Sequence, residues 1–436
     1  MAYRTSNHRR QRTGSAGRRW SLIALLVAST AIGGCDLLPP APPDNELLDG
    51  PIDGLSDAQR AAFFRGDEEF NRVFSTANGL GPLFVAHSCA TCHPGDGDGH
   101  PVFNLTRFGR VNGASFDPMI EHGGPQIQNR AMPGYEPESV PSGATGITQL
   151  TAPSVTGLGL LEAVDDATLL SLTDPDDADG DGISGRVQLI DSTDFIAEIT
   201  SIESILQAGS ADDRRRQAPI DGRYVGRFGK KAVSINLVHQ TVSAYSVDMG
   251  LTTDLIPRDL FNPGVGGFAT DNVPDPEIPS NVVDNVVFYL RTLRPPPRRE
   301  ADHPDVLKGE RLFDEIGCTS CHLPTLQTGR SEIAALNEVT FHPYTDLLLH
   351  DMGSDLDDGY TEGRALTSEW RTAPLWGIGL SDSFQGGKTF FLHDGRARTL
   401  IEAIRYHGGE GASSRERFDA LSDEEQQQVV TFLRSL

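Results

Sequence analysis

The 436-residue sequence predicts a mainly α-helical protein with two similar helical domains, of which the first is enlarged by a loop-rich insertion. Three observations support this prediction. A Cys-x-x-Cys-His motif occurs twice, each copy is followed by a similar Thr-Ala-Pro block, and each half of the chain ends on the same helical pattern. One such match could arise by chance, but three in the same order indicate an internal duplication.

The composition excludes several classes of protein. The chain has 37 Lys and Arg against 61 Asp and Glu, a net charge of −24. This acidity argues against binding to nucleic acid or to an anionic lipid surface, because both need clustered basic residues. The hydrophobic content of 38% is sufficient for a packed core, and the 46 glycines and 28 prolines indicate many turns, which excludes a long coiled coil.

Residues 1–35 have the pattern of a bacterial lipoprotein signal peptide. A basic start leads into an apolar stretch, Trp20 to Ile32, which is too short to span a bilayer but suits a signal-peptide core. Small residues then precede Cys35, as in a lipobox; an ordinary signal peptide with an incidental cysteine is the alternative. We therefore expect a protein anchored through lipid on Cys35 at the periplasmic side of a bacterial membrane, with residues 36–54 as a tether.

The four remaining cysteines form two motifs that are typical of covalent attachment of haem c. Two thiols about one helical turn apart reach the two vinyl groups of one porphyrin, and the adjacent histidine reaches the iron. A redox dithiol gives no role to that histidine, and a zinc site shared by both cysteine pairs leaves both histidines unexplained. The motifs predict two covalently bound haem c groups, held by Cys89, Cys92 and His93 and by Cys318, Cys321 and His322.

The repeated blocks predict the domain boundaries. Residues 151–160 parallel residues 372–380, and residues 285–293 mirror residues 428–436, whose helix starts at Ser422 with the spacing of a capping box. The prediction is an N-terminal cytochrome c-like domain over 55–293, a Pro-rich linker over 294–300 and a C-terminal cytochrome c-like domain over 301–436. The first domain is the longer, and loops around a haem are where substrate chemistry is built.

On these motifs the sequence resembles the di-haem oxidoreductase family, whose members are labelled peroxidases or thiol oxidoreductases. That family looks related to the bacterial di-haem cytochrome c peroxidases and to the di-haem enzyme that matures methylamine dehydrogenase. The resemblance runs from about Leu55 to Leu436 and is carried by residues 84–88, 157–163, 179–186, 226–229, 248–250, 349–353 and 391–397. It implies two helical domains with haems near their interface, peroxide meeting the N-terminal haem and the C-terminal haem supplying an electron.

The resemblance also implies catalytic residues near the first haem. Gln240 is similar to the distal Gln of the peroxidases, and Asp248 to its acidic partner, with Asp in place of Glu. The alternative is a helix that ends in an ordinary surface Asp. Lys230 stands where those relatives commonly have a Trp between the haems, which puts that electron relay in doubt; a solvated surface lysine is the alternative.

A sixth iron ligand is expected at the second haem, where methionine would raise the reduction potential. Met352 is the first candidate, and His350 and His393 are alternatives. Packing of Met352, and hydrogen bonding of the two histidines to propionates or backbone, would explain the same residues without ligation.

A calcium site is a further prediction. Asp177, Asp179 and Asp181 have the spacing of the first half of a calcium loop, although position twelve is Gln188 rather than Glu. An acidic Asp-Gly turn without a metal explains this pattern equally well.

Together these features predict an enzyme similar to the di-haem cytochrome c peroxidases, reducing peroxide or acting on another small substrate at its first haem. A non-catalytic di-haem electron carrier is the alternative. Loss of residues 1–34 with their six arginines would leave 31 basic and 61 acidic residues, a net charge of −30. That charge favours a basic electron-donor protein as partner.

Overall fold

Two helix pairs with matching contacts organise the fold. The structure is a computed structural model that describes residues 48–112, 115–193, 195–200, 219–268, 271 and 273–436. The predicted signal peptide, Cys35 and most of the predicted tether lie outside these residues. The α-helices are α1 (Asp57–Asn71), α2 (Cys89–Cys92), α3 (Leu158–Glu162), α4 (Asp166–Ser171), α5 (Leu237–Met249), α6 (Ser280–Thr292), α7 (Pro304–Glu315), α8 (Ser381–Phe384), α9 (Leu400–Arg405), α10 (Ala412–Asp419) and α11 (Asp423–Ser435).

The helix pairs α1–α6 and α7–α11 cross at equivalent glycines. A Cβ atom on Gly66 of α1 would lie 2.1 Å from the carbonyl oxygen of Asn285, and one on Gly309 of α7 would lie 2.0 Å from that of Gln428. Only glycine permits backbones to approach this closely. Asn285 and Gln428 begin the two matching C-terminal patterns, so the structure bears out the duplication at the level of backbone contact.

The Gly-x-Gly blocks that follow each Cys-x-x-Cys-His motif also occupy equivalent places. A Cβ atom on Gly159 would lie 1.9 Å from the carbonyl oxygen of Arg291, and one on Gly379 would lie 2.1 Å from that of Arg434. Each block therefore packs against the end of its own terminal helix. The final helix starts as predicted, because the Ser422 side chain accepts from the backbone N–H of Glu425 at 3.3 Å in a capping box.

The prediction of a mainly α-helical chain is wrong. The structure is 37% helix and 14% strand, a mixed α/β composition. The strands form small antiparallel sheets of order β1-β4, β3-β2-β5, β6-β7, β8-β9, β10-β11 and β12-β13. Their bounds are β1 Leu83–Phe84, β2 Leu105–Asn112, β3 Ser115–Asp117, β4 Arg130–Ala131, β5 Gly146–Leu150, β6 Gln188–Asp191, β7 Arg223–Gly226, β8 Phe261–Asn262, β9 Gly267–Phe268, β10 Leu326–Gln327, β11 Thr340–Phe341, β12 Leu349–Asp351 and β13 Glu369–Arg371.

The prediction of a mainly α-helical chain fails in the segment expected to be a loop-rich insertion, because that segment contains strands such as β5. Along β5 the exposed side chains of Ile147 and Gln149 alternate with the buried Thr148 and Leu150, the two-residue period of a strand. The Gly and Pro residues of the chain favoured the prediction of loops here, because these residues are typical of turns. Most of the other strands have only two to five residues, too few for periodicity to identify them from sequence.

The hydrophobic core has two main parts that follow the helix pairs. Phe63 of α1 and Tyr289 of α6 belong to the first part, with ring centroids 4.9 Å apart. Phe313 of α7 and Phe432 of α11 belong to the second, with ring centroids 5.2 Å apart. In the described part of the chain, no helix is long and apolar enough to cross a membrane. The predicted domain boundaries stay predictions.

Candidate haem-binding site

A large cavity opens between the two Cys-x-x-Cys-His motifs. Its volume is about 980 Å³, at the upper end of the ~300–1,000 Å³ that is typical of ligand pockets. All six predicted haem-attachment residues line it: Cys89, Cys92, His93, Cys318, Cys321 and His322. The structure thus brings together two motifs that are more than 200 residues apart in sequence.

The first motif is a single helical turn, and a hydrogen bond from its ring fixes the orientation of the histidine that follows. The Ser88 side chain caps α2 by accepting from the backbone N–H of Thr91 at 3.1 Å. Nδ1 of His93 lies 2.7 Å from the carbonyl oxygen of Pro153 and donates to it, which leaves Nε2 as the ligand atom. Burial lowers the pKa of His93 to about 4, so the imidazole stays neutral as a metal ligand must.

The second motif repeats this arrangement on a 3-10 turn, Cys318–Ser320. Nδ1 of His322 donates to the carbonyl oxygen of Tyr344 at 2.9 Å, and burial lowers the pKa of His322 to about 4. The rings of Phe70 and Phe313, at equivalent positions on α1 and α7, lie 6.2 Å from His93 and His322 respectively. A backbone carbonyl oxygen therefore orients the histidine of each motif.

The four thiols do not have the properties of a redox dithiol. Burial raises the pKa of Cys89, Cys92 and Cys318 to about 12, whereas reactive cysteines have a lowered pKa. All four cysteines are free in the structure. Among the described residues, no group of metal-ligating atoms joins the two cysteine pairs.

The comparison with protein families identifies the family of the chain. The model of a family described as "Di-haem oxidoreductase, putative peroxidase" matches residues 147–436. The chain belongs to this di-haem oxidoreductase family. The match covers about two thirds of the chain and starts later than the expected Leu55, so the first Cys-x-x-Cys-His motif lies before the matched residues.

Other comparisons add little to the family assignment. A solved structure of hydrazine synthase from Kuenenia stuttgartiensis, pressurised with 20 bar xenon, is 14% identical with a TM-score of 0.35. That match covers 96% of this chain and 100% of the other chain. At this identity and TM-score we infer nothing from it about this protein. No curated protein matches the chain.

Membership of a di-haem family implies haem cofactors, and the cavity walls fit them. Lys230 and Arg371 line the cavity, and burial lowers the pKa of Lys230 to about 8 and of Arg371 to about 10. Within the described part of the chain, Lys230 Nζ has no hydrogen bond or ion pair. The Asp98 and Asp394 charges act to raise the pKa of Lys230, and haem propionates would add further negative charge beside both cations. Lys230 is partly exposed at the cavity wall, and its positive charge acts to lower the pKa of His93 further.

Trp370 and Trp376 also line this cavity, and sequence reasoning missed both as site residues. The Trp370 ring stacks on His393 at 3.7 Å between centroids, and its Nε1 donates to the carbonyl oxygen of Leu356 at 2.8 Å. Trp376 packs against Phe341, with ring centroids 6.0 Å apart. Trp376 lies in the second Thr-Ala-Pro block, so its place in the duplicated motif was the available signal.

Gln240 and Asp248 lie on α5, and both line the cavity. They are eight positions apart, which is about two helical turns or ~12 Å along the axis. Burial raises the pKa of Asp248, while a hydrogen bond from Gln126 at 2.7 Å and the nearby Arg107 charge oppose the shift. Asp248 is thus a partly buried carboxyl group at the cavity wall rather than an ordinary surface Asp.

An ion pair that the sequence did not reveal joins the two halves of the chain beside Asp248. Arg107 of β2 donates to Glu362 at 2.6 Å, and the hydroxyl group of Tyr360 donates to the same carboxylate oxygen at 2.9 Å. All three side chains line the cavity. Arg107 was missed because it lies on a strand within the segment expected to be a loop.

Met352 lines the cavity near the second haem motif. The two alternative ligands, His350 and His393, are hydrogen-bonded to carboxylates. His350 bonds Asp346 at 2.8 Å and Glu410 at 2.7 Å. Burial acts to lower the pKa of His350, but hydrogen bonds with Asp346, Cys321 and Glu410 raise it to about 12. The Nε2 atom of His393 bonds Asp358 at 2.6 Å.

His407 is a cavity residue that sequence reasoning missed. Its ring centroid is 6.5 Å from that of His322, and its Nδ1 donates to the carbonyl oxygen of Ala403 at 2.9 Å. The sequence gives little indication of this role, because His407 lies 85 residues after His322 in a segment without a recognised motif.

The predicted calcium loop is partly assembled. Ligand atoms of Asp174, Asp177 and Asp179 lie within 4.8 Å of one another, whereas Asp181 is not in this group. Several of these carboxylates accept backbone N–H groups of their own loop, such as Asp174 from Ala178 at 2.9 Å. Calcium binding here stays a prediction.

Proposed function

We propose that this chain is a c-type di-haem enzyme that reduces peroxide at its first haem with electrons passed through its second haem. The observation that carries the proposal is the cavity lined by both Cys-x-x-Cys-His motifs. Reduction of hydrogen peroxide to two waters consumes two electrons and two protons. Two haems in one cavity suit the electron supply, and the cavity offers groups for the proton transfers.

The cysteine pairs support covalent attachment. Each pair lines the cavity beside a neutral histidine whose Nδ1 is fixed on a backbone carbonyl oxygen. When bound, the haems supply the redox chemistry. The chain would hold them through the thiols and imidazoles, and would neutralise propionates with Lys230 and Arg371.

Asp248 is the proposed acid–base group at the first haem. Its raised pKa favours a proton-carrying form, which suits transfer of a proton from the near to the far oxygen of peroxide. Gln126 holds one carboxylate oxygen of Asp248 at 2.7 Å and so orients the group. Gln240, two turns away on the same helix, offers an amide that can bind peroxide or its products.

Replacing Asp248 by Asn should lower peroxide turnover ~100-fold or more, because acid–base catalysis commonly contributes ~10²–10⁴-fold. Gln240→Leu should lower turnover by less. The measurement is steady-state peroxide consumption with a small-molecule electron donor, at equal content of two haems per chain. Asp419→Asn, at a half-exposed carboxylate on α10, is the control and should leave the rate unchanged. An Asp248→Asn protein with the normal rate would remove the proposed role.

The alternative of a non-catalytic electron carrier makes a different prediction. A carrier keeps both haems six-coordinate and low-spin in every redox state and has no peroxide turnover. The enzyme needs an accessible first haem, at least after partial reduction. Spectra of the two haems in the oxidised and half-reduced states therefore separate the two functions.

A basic electron-donor protein is part of the proposal. The net charge of −24 would attract such a partner, and salt screens this attraction over about 10 Å at 0.1 M. The second-order rate of reduction by a basic c-type cytochrome should fall several-fold as ionic strength rises from 0.01 to 0.1 M. A rate that does not depend on salt would contradict a charge-guided encounter.

A further inference from the structure

His407 and His322 have the mutual geometry of two axial ligands on one iron. Their ring centroids are 6.5 Å apart. Metal–imidazole bonds are ~2.0–2.1 Å long, so two axial imidazoles on one metal have ring centroids ~6–6.5 Å apart. Nδ1 of each ring donates to a backbone carbonyl oxygen, from Tyr344 for His322 and from Ala403 for His407. The Nε2 atoms are therefore the ligand atoms left on both rings.

The environment of His407 keeps it suitable for ligation. Burial lowers its pKa, so the ring is neutral, and a hydrogen bond to a backbone carbonyl oxygen fixes the tautomer with a lone pair on Nε2. The charged side chains of Arg415 and Glu410 line the same cavity as His407. The Arg415 charge acts to lower the pKa of His407 further.

The other candidates fit the ligand position less well. His350 uses both ring nitrogens on carboxylates, and His393 uses Nε2 on Asp358. Met352 packs against an apolar cluster that contains Leu356 and Trp370. These contacts account for the partly buried thioether without any bond to iron.

We propose that Nε2 of His407 is the sixth ligand of the second haem iron, opposite His322. This assignment rests on the proposed haem attachment at His322, and it is an alternative to the predicted ligand Met352. The first haem differs, because the ring contact of His93 among the described residues is with Phe70 alone. Two imidazoles close the second iron to peroxide and leave peroxide chemistry to the first. Without a methionine ligand, the potential of the second haem lies lower than the Met352 prediction implies.

The test is spectroscopic and uses the full di-haem protein. In the ferric protein, electron paramagnetic resonance and optical spectra should show one low-spin haem with two imidazoles. His407→Ala should convert that haem, and not the other, to a high-spin or water-ligated form. Added imidazole should restore the low-spin signal, which separates loss of a ligand from misfolding. His407→Met should raise the reduction potential of that haem.

Met352→Leu is the matched control, and it should leave both spectra and both potentials unchanged. A His407→Ala protein that keeps a low-spin second haem, with Met352→Leu losing it, would overturn the assignment in favour of methionine. Neither result depends on turnover. Absence of peroxide reduction by the wild-type protein would instead refute the proposed function and leave the ligand assignment standing.

Discussion

Replacing Cys89 and Cys92 by serine is expected to lower the covalently bound haem from two to one per chain and to abolish peroxide turnover. Both thiols line the cavity beside His93, and their raised pKa reflects burial in an apolar wall rather than a reactive dithiol. Serine keeps the size of the side chain but forms no thioether bond. Haem staining after denaturing electrophoresis and the intact mass of the chain measure the loss.

Serine at Cys318 and Cys321 is the matched control for this experiment. That variant should also lose one haem, yet its remaining first haem should still bind small ligands, because the proposed peroxide site is kept. Turnover would fall for lack of the second electron source. Retention of two haems by the Cys89/Cys92 variant after denaturation would contradict covalent attachment at the first motif.

Replacing Arg227 by methionine should destabilise the folded protein by ~3–5 kcal/mol, the cost of leaving a buried charge without its partner. The Arg227 side chain is fully buried and pairs with Asp166. It also donates to the carbonyl oxygens of Glu162 at 2.8 Å and Val164 at 2.7 Å, so it anchors the turn between α3 and α4. The measurement is the free energy of unfolding in urea, with haem content matched.

Arg364→Met tests whether burial is the cause. Arg364 pairs with Asp191 at 3.0 Å, but both side chains are more than half exposed. Exposed ion pairs contribute ~0–1 kcal/mol, so this variant should be almost as stable as the wild type. Equal losses of stability in the two variants would show that Arg227 acts through something other than its buried ion pair.

The haem motifs and the duplication were predictable because each depends on residues that are close in sequence. A Cys-x-x-Cys-His motif is complete within five residues, and a capping box such as that at Ser422 within four. The repeat was visible because the same helix crossings need the same small residues, and Gly66 and Gly309 meet equivalent carbonyl oxygens.

The fold class was not predictable in the same way. Strands of two to five residues carry too little periodicity to be recognised, and their pairing depends on partners elsewhere in the chain. Arg107 illustrates the consequence. Its partner Glu362 is 255 residues away, and only the sheet that contains β2 brings it into the cavity.

Local spacing was enough to predict the two Cys-x-x-Cys-His motifs as haem-attachment sites and to predict the repeated helix pairs. The tertiary structure was needed to show that both motifs line one cavity, that Lys230 lines it too, and that the rings of His407 and His322 lie 6.5 Å apart. A ligand opposite the proximal histidine is chosen by distance and direction in space. Neither quantity is encoded in the spacing of residues along the chain.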